Sequence, residues 1–157
     1  MAESVGAEQR LSELGIVLPT PPQPFGAYVE SVQSDRLLFL SGMLPVVDHK
    51  PQFVGRLGRE IDIESGRAAL QTASLNALAA ARAHLGTLDR VTRIVRLGVY
   101  LATFGDFFDQ PKVADAASEL FESIFGKEKT SVRTVLGVAS LPLGMPVELE
   151  VMLELAE

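Results

Sequence analysis

The feature that most constrains this chain is its last strand. Val147, Leu149, Val151, Leu153 and Leu155 alternate with Glu148, Glu150, Met152 and Glu154. A period of two sends the first set to one face of a sheet and the second set to the other. The first face is apolar and must be covered. In the preceding run, Ser131 to Ser140, Arg133 stands alone among small and apolar residues. The pattern predicts two strands joined by a turn at Leu141-Pro142-Leu143-Gly144. A lone cation in such a run calls for a partner or a ligand, because an unpaired buried charge is costly.

Two upstream segments can supply the cover. From Asp62 to Leu85, Leu70, Ala73, Ala77, Leu78, Ala81 and Leu85 recur at helical spacing, and Gly86 follows as a stop. The many alanines of this helix allow close packing on a sheet. Pro111 suits the first turn of a second helix, with Val113, Ala116, Ala117, Leu120, Ile124 and Phe125 as its stripe and Gly126 at its end. Between the helices, Val91, Val95, Leu97, Val99 and Leu101 share a strand face, with Arg93 the exception. Ala27–Gln33 and Arg36–Leu40 read as a hairpin turning at Ser34-Asp35. The continuous Leu37-Leu38-Phe39-Leu40 reads as covered on both faces. Residues 43–58, broken by Pro45, Pro51, Gly55 and Gly58, read as a loop with a short extended piece.

This order predicts an α+β fold in two layers, a mixed sheet with two long helices on one face. The other face would carry Arg133 and the glutamates, but also Val135, Tyr100 and Ile94. A half-apolar face left open on a 157-residue chain predicts self-association. Residues 1–24 read as an extension, with a short helix from Ala7 to Leu14, Gly15 at its cap, and a proline-rich connector from Leu18 to Pro24. The connector is either a spacer or an arm that packs on a neighbouring subunit. Residues 25–157 read as a single domain.

Composition narrows the function. Net charge is −6, with no basic cluster, which argues against nucleic acid as a partner. No apolar run is long enough to span a bilayer, and the first residues lack the pattern of a secretory leader, so a cytoplasmic location is expected. There is no cysteine, and the two histidines, His49 and His84, are far apart, so neither thiol catalysis nor a transition-metal site is expected. Gly55-Arg56-Leu57-Gly58 is too short for a phosphate loop.

Several short motifs occur in a telling order. They are Gly26-Ala27-Tyr28, Ser41-Gly42-Met43-Leu44-Pro45, Gln71-Thr72 with Asn76, and Gly86-Thr87-Leu88-Asp89-Arg90-Val91. Further on come Arg133-Thr134-Val135, Leu141-Pro142 and Val147-Glu148-Leu149-Glu150. Together, from about Phe25 to Leu155, the chain resembles the Rid (YjgF) family, the reactive intermediate deaminases once called L-PSP endoribonucleases. The resemblance implies a chorismate-mutase-like fold, a homotrimer with sites in clefts between subunits, and hydrolysis of enamines and imines such as 2-aminoacrylate to 2-keto acids and ammonium. It implies no cofactor and no metal. On it, Arg133 binds the substrate carboxylate, Glu148 positions the attacking water, and Tyr28 lines the cleft, where Met43 and Val135 also contribute. Met43 stands where the family usually has glutamine, Val135 where many members have cysteine, and Gly137 where some have glutamate.

The chemistry stands on its own terms. A guanidinium can hold a carboxylate through two parallel hydrogen bonds. A second carboxylate can orient or deprotonate water. Holding both reactants supplies much of the rate gain. The residues alone leave Arg133 free to be a structural ion pair with Glu148 or Glu150 instead. A tight turn at Leu143 would place Arg133 opposite Leu153, so Arg133 and Glu148 would meet only through an offset or across a subunit boundary. A non-catalytic module that senses small carboxylates fits the same residues. Ribonuclease activity, from the older family name, fits the acidic charge poorly. Asn76, mid-helix, is expected to bond a neighbouring backbone rather than a substrate.

Overall fold

The computed structural model describes residues 4–157. In chain order the elements are α1 (Ala7–Glu13), β1 (Ser31–Ser34), β2 (Leu37–Leu40), β3 (Val46–Val47), β4 (Lys50–Pro51), α2 (Ile63–Leu85), β5 (Val91–Ala102), α3 (Gln110–Phe125), β6 (Val132–Val138) and β7 (Val147–Leu155). The main sheet has the order β1-β2-β7-β5-β6, and β3 and β4 form a separate small hairpin. All neighbours in the main sheet are antiparallel except β5 and β6, which run parallel, so the sheet is mixed. The long helices α2 and α3 cover one face.

Local chemistry explains the element ends. The Asp62 carboxylate accepts from the Ser65 backbone N–H at 2.7 Å and caps α2. Gly86 leaves α2 with φ +83, a conformation that costs glycine nothing. Ala69, Ala73, Ala77 and Ala81 of α2 are buried against the sheet, where their small side chains let the helix axis come close. All five odd-numbered residues of β7 from Val147 to Leu155 are buried beneath the helices.

The tertiary structure overturns five sequence-based expectations. First, β6 and β7 do not form a hairpin, because β5 lies between them. The centre goes to the strands that bury most apolar surface. Edge strand β6 keeps Val132 and Leu136 exposed, and the chain returns from it past the end of β5, where Ala102 N–H donates to Pro146 O. Second, β5 carries register shifts between Val91 and Arg93 and between Ile94 and Arg96. Each shift moves the alternation by one residue, so Ile94, not Val95, joins Val91, Leu97, Val99 and Leu101 in the core. Third, Arg133 and Val135 pair with Leu97 and Val99, and so lie on the helix side of the sheet rather than on its open face. Fourth, β2 is covered on one side alone. Leu38 and Leu40 are buried, whereas Phe39 is 38% exposed. The β1–β2 turn also falls one residue later, at Asp35-Arg36.

The open face carries a row running across all five strands, Val32, Phe39, Met152, Arg96 and Val132. At the other end of the chain, α1 sits against the main body. Leu11 is buried in the same core as the long helices, and Glu8 receives Arg82 Nε at 3.0 Å and Nη2 at 2.6 Å. Burial alone would raise the Glu8 carboxyl, but its bonds to Arg82 and to the Leu88 N–H, together with the Arg82 charge, hold it below the usual range. The proline-rich segment folds back on its own chain, where Phe25 stacks on the His49 ring at 3.9 Å. If α1 is part of the core, Leu11→Ala should cost about 2–5 kcal/mol, read as a lowered midpoint in urea unfolding. An unchanged midpoint would mean that α1 merely rests on the surface.

Candidate functional site

Glu148 stands on the open face of β7, opposite Tyr100 of β5. It is half-buried, and its carboxylate occupies space that a side chain at residue 42 would need. A Cβ at Gly42 would collide with Glu148 Oε1. The flanking residues hold that arrangement. Met43 exchanges two backbone hydrogen bonds with Leu149, at 2.7 and 2.9 Å. Ser41 donates its hydroxyl to Val29 O at 2.6 Å, and its N–H to Glu30 O. The Ser41-Gly42-Met43 segment therefore seats the carboxylate, with glycine making the room. Burial, and then the like charge of Glu150, raise the Glu148 carboxyl above its ordinary value. Glu150 itself accepts from Arg96 Nη1 at 2.7 Å, and Glu154 accepts from the Thr92 hydroxyl at 2.8 Å. Among the described residues, no cation lies within ion-pair distance of Glu148.

Arg133 lies elsewhere. Its Nη1 donates to Asp115 Oδ1 at 2.7 Å and to Ser118 Oγ at 3.1 Å, both on α3 one turn apart. Both contacts run through one nitrogen, so they do not use the two-pronged edge of the guanidinium that recognises a carboxylate. The ion-pair alternative for Arg133 is thus realised, but with Asp115 rather than Glu148 or Glu150. Sequence reading missed Asp115 because it lies 18 residues away on a helix, within an ordinary polar face.

The remaining candidates are distributed as follows. Val135 is half-buried beside Arg133 and packs on the core. Tyr28 is exposed, and its hydroxyl accepts from the Phe25 N–H at 2.8 Å, turning the ring toward its own loop. Met43 is 2% exposed, with its side chain in the core. Within the protomer its side chain therefore does not line a cleft as expected: its backbone pairs with Leu149 and its side chain packs in the core. Asn76 donates to Leu44 O and Val46 O, as expected for a backbone-bonding amide. Within one protomer the structure does not bring Arg133 and Glu148 together. They lie on opposite faces of the sheet with β5 between them. No cluster of metal-ligating side chains occurs among the described residues, and no described helix is long and apolar enough to cross a membrane.

The raised Glu148 has a consequence for stability. A carboxyl whose native pKa exceeds its unfolded value keeps its proton longer in the native state, so stability falls as pH rises between the two values. Above that window the ionised form is a cost. Glu148→Gln should therefore melt no lower than the wild type at pH 7, and any gain should vanish on acidification below the carboxylate range. A variant that melts lower at pH 7 would mean that the carboxylate makes a stabilising contact.

The family model described as "YjgF/chorismate_mutase-like, putative endoribonuclease" matches residues 8–155. Protein TCP17 of Trypanosoma cruzi is 39% identical over 146 residues, covering 92% of this chain and 91% of that protein. The 2-iminobutanoate/2-iminopropanoate deaminase of Dermatophagoides farinae is 29% identical over 137 residues, covering 86% and 91%. Among solved structures, Atu1372 of Agrobacterium tumefaciens, a protein of unknown function, superposes with a TM-score of 0.87 at 33% identity, over 96% of this chain and 92% of that one. With its mixed sheet, two covering helices and a family match over nearly its whole length, the chain belongs to the YjgF/Rid family and has the chorismate-mutase-like fold.

Proposed function

We propose that this chain is an enamine/imine deaminase that converts 2-aminoacrylate-type intermediates to 2-keto acids and ammonium, acting as a homotrimer without a cofactor. The observation that carries the reading is Glu148: a half-buried carboxylate with raised proton affinity and, among the described residues, no cation partner, seated over a glycine. Such a group can take a proton from water and return it. In the proposed step the water oxygen bonds to the imine carbon while Glu148 accepts a water proton. As the water oxygen adds, the carbon–nitrogen π pair of the protonated imine moves to nitrogen. Glu148 returns the first proton to that nitrogen and then accepts the hydroxyl proton as the C=O bond forms and the carbon–nitrogen bond breaks. Ammonia leaves the 2-keto acid and takes up that proton as ammonium. Arg133 would hold the substrate carboxylate through the edge of its guanidinium that Asp115 does not use.

Because one protomer keeps Arg133 and Glu148 on opposite faces, the reading places the reaction between copies. The row Val32, Phe39, Met152 and Val132 supports association through the open face. The relative that acts on imino acids supports the chemistry. A second reading, a carboxylate-sensing module without catalysis, is supported by the separation of Arg133 from Glu148 within one protomer, since binding needs only the fork of Arg133 that Asp115 leaves open.

The two readings separate in one set of measurements. In the deaminase reading, Glu148→Gln slows hydrolysis of 2-aminoacrylate generated in situ by about 10²-fold or more and leaves carboxylate binding intact. Arg133→Ala abolishes both, and Arg133→Lys recovers little, because an ammonium lacks the planar fork. A wild type that is stabilised by pyruvate yet leaves 2-aminoacrylate untouched would favour the sensor. Sedimentation equilibrium at micromolar concentration should give three times the 16.9 kDa chain mass, and a monomer would remove the proposed cleft.

A further inference from the structure

A second guanidinium is free of the partner that Arg133 has. Arg56 is half-buried in the loop before α2, with its guanidinium carbon 5.0 Å from the centre of the Phe104 ring. Among the described residues, no carboxylate lies within ion-pair distance of it. The nearest candidate, Glu60, is already engaged: its carboxylate accepts from the Arg56 backbone N–H at 2.9 Å and lies 3.4 Å from Arg59 Nε. Phe104 also has the Arg59 guanidinium carbon 4.9 Å from its centre, and a ring face within this reach helps hold a guanidinium in place without consuming its hydrogen-bond donors.

Arg56 lines a cavity of about 260 Å³ at the ends of β5 and β6, whose other walls include Val54, Ala102, Ala139, Leu141 and Met145, with the Ser140 hydroxyl and the Glu60 carboxylate, the latter held by the Arg56 N–H and Arg59, at its rim. The volume lies below the usual range for drug-sized ligands, about 300–1,000 Å³, and suits a small molecule. The floor is tied down. Gly55 N–H donates to Gly144 O at 2.8 Å, Leu57 N–H to Ala102 O at 2.8 Å, and Phe104 N–H to Leu57 O at 2.9 Å. A preformed site loses little entropy on binding. The cavity is separate from Arg133. Arg133 pairs with Leu97, five residues before Ala102 on β5, so the two lie about 16 Å apart along the strands.

We infer that this cavity is a second ligand site, one that takes a small monocarboxylic acid with its carboxylate on Arg56 and its apolar body against Ala102, Leu141 and Met145. A single planar fork matches the two oxygens of a carboxylate, and the apolar walls select acids that carry a hydrocarbon body. The inference does not depend on the deaminase reading, since it uses neither Arg133 nor Glu148.

Benzoate titration of the isotopically labelled full chain, followed by amide NMR, tests it. Saturable shifts are expected at the Gly55, Ser140 and Gly144 amides, absent with neutral benzamide. Arg56→Ala should weaken this response at least tenfold and Arg56→Lys should recover little of it, whereas Arg133→Ala should leave it unchanged. Ala139→Leu, which fills the cavity from an exposed position without altering the guanidinium, should give the same loss. Shifts confined to the amides around Arg133 would overturn the inference. So would an unchanged response in Arg56→Ala and Ala139→Leu, or inorganic phosphate acting as strongly as benzoate. A failure of catalysis with the Gly55, Ser140 and Gly144 response intact would sink the deaminase reading alone.

Discussion

Burial of Val147, Leu149, Val151, Leu153 and Leu155 beneath α2 and α3 is the interaction on which the other features rest. β7 lies between β2 and β5, so its backbone is paired on both sides. With the odd positions committed to the core, Glu148, Glu150 and Glu154 have nowhere to go but the open face. The same alternation that builds the core therefore delivers three carboxylates to one surface.

Those carboxylates are not equivalent. Glu150 is neutralised by Arg96 and Glu154 is hydrogen-bonded by Thr92, whereas Glu148 is half-buried over Gly42 and faces a like charge two residues away. Holding an ionised group there costs stability. Gly42 makes the arrangement sterically possible, and the backbone clamp between Met43 and Leu149 keeps it in register.

The arginines form a parallel contrast. Arg82, Arg96 and Arg133 each meet a carboxylate within 2.7 Å, while Arg56 rests on an aromatic ring beside an apolar cavity. Among the described residues Arg10, Arg90 and Arg93 also lack an ion pair, but Arg56 is the one of these four that lines this cavity. The distinction comes from position. Arg56 belongs to a loop fixed by backbone bonds to the end of β5 and to Gly144 in the turn before β7, and the nearby Glu60 carboxylate is engaged by the loop's own N–H groups and by Arg59.

Local pattern was enough to read the two helices with their Asp62 and Gly86 boundaries, the alternation of β7, the two-layer class and the residues that resemble the family motifs. Those features depend on dihedral preference and on periodicity, which neighbouring residues carry among themselves. Strand order was not legible, nor were the faces of Arg133 and Ile94. Order is settled by competition among strands for the buried centre, which moved β5 between β6 and β7. Facing in β5 is settled by two bulges, which no alternation announces. Asp115 became the partner of Arg133 only because α3 lies over the β6 edge. The sequence by itself determined which residues could do chemistry; the tertiary structure decided which of them meet, because those meetings are made by packing between segments distant along the chain.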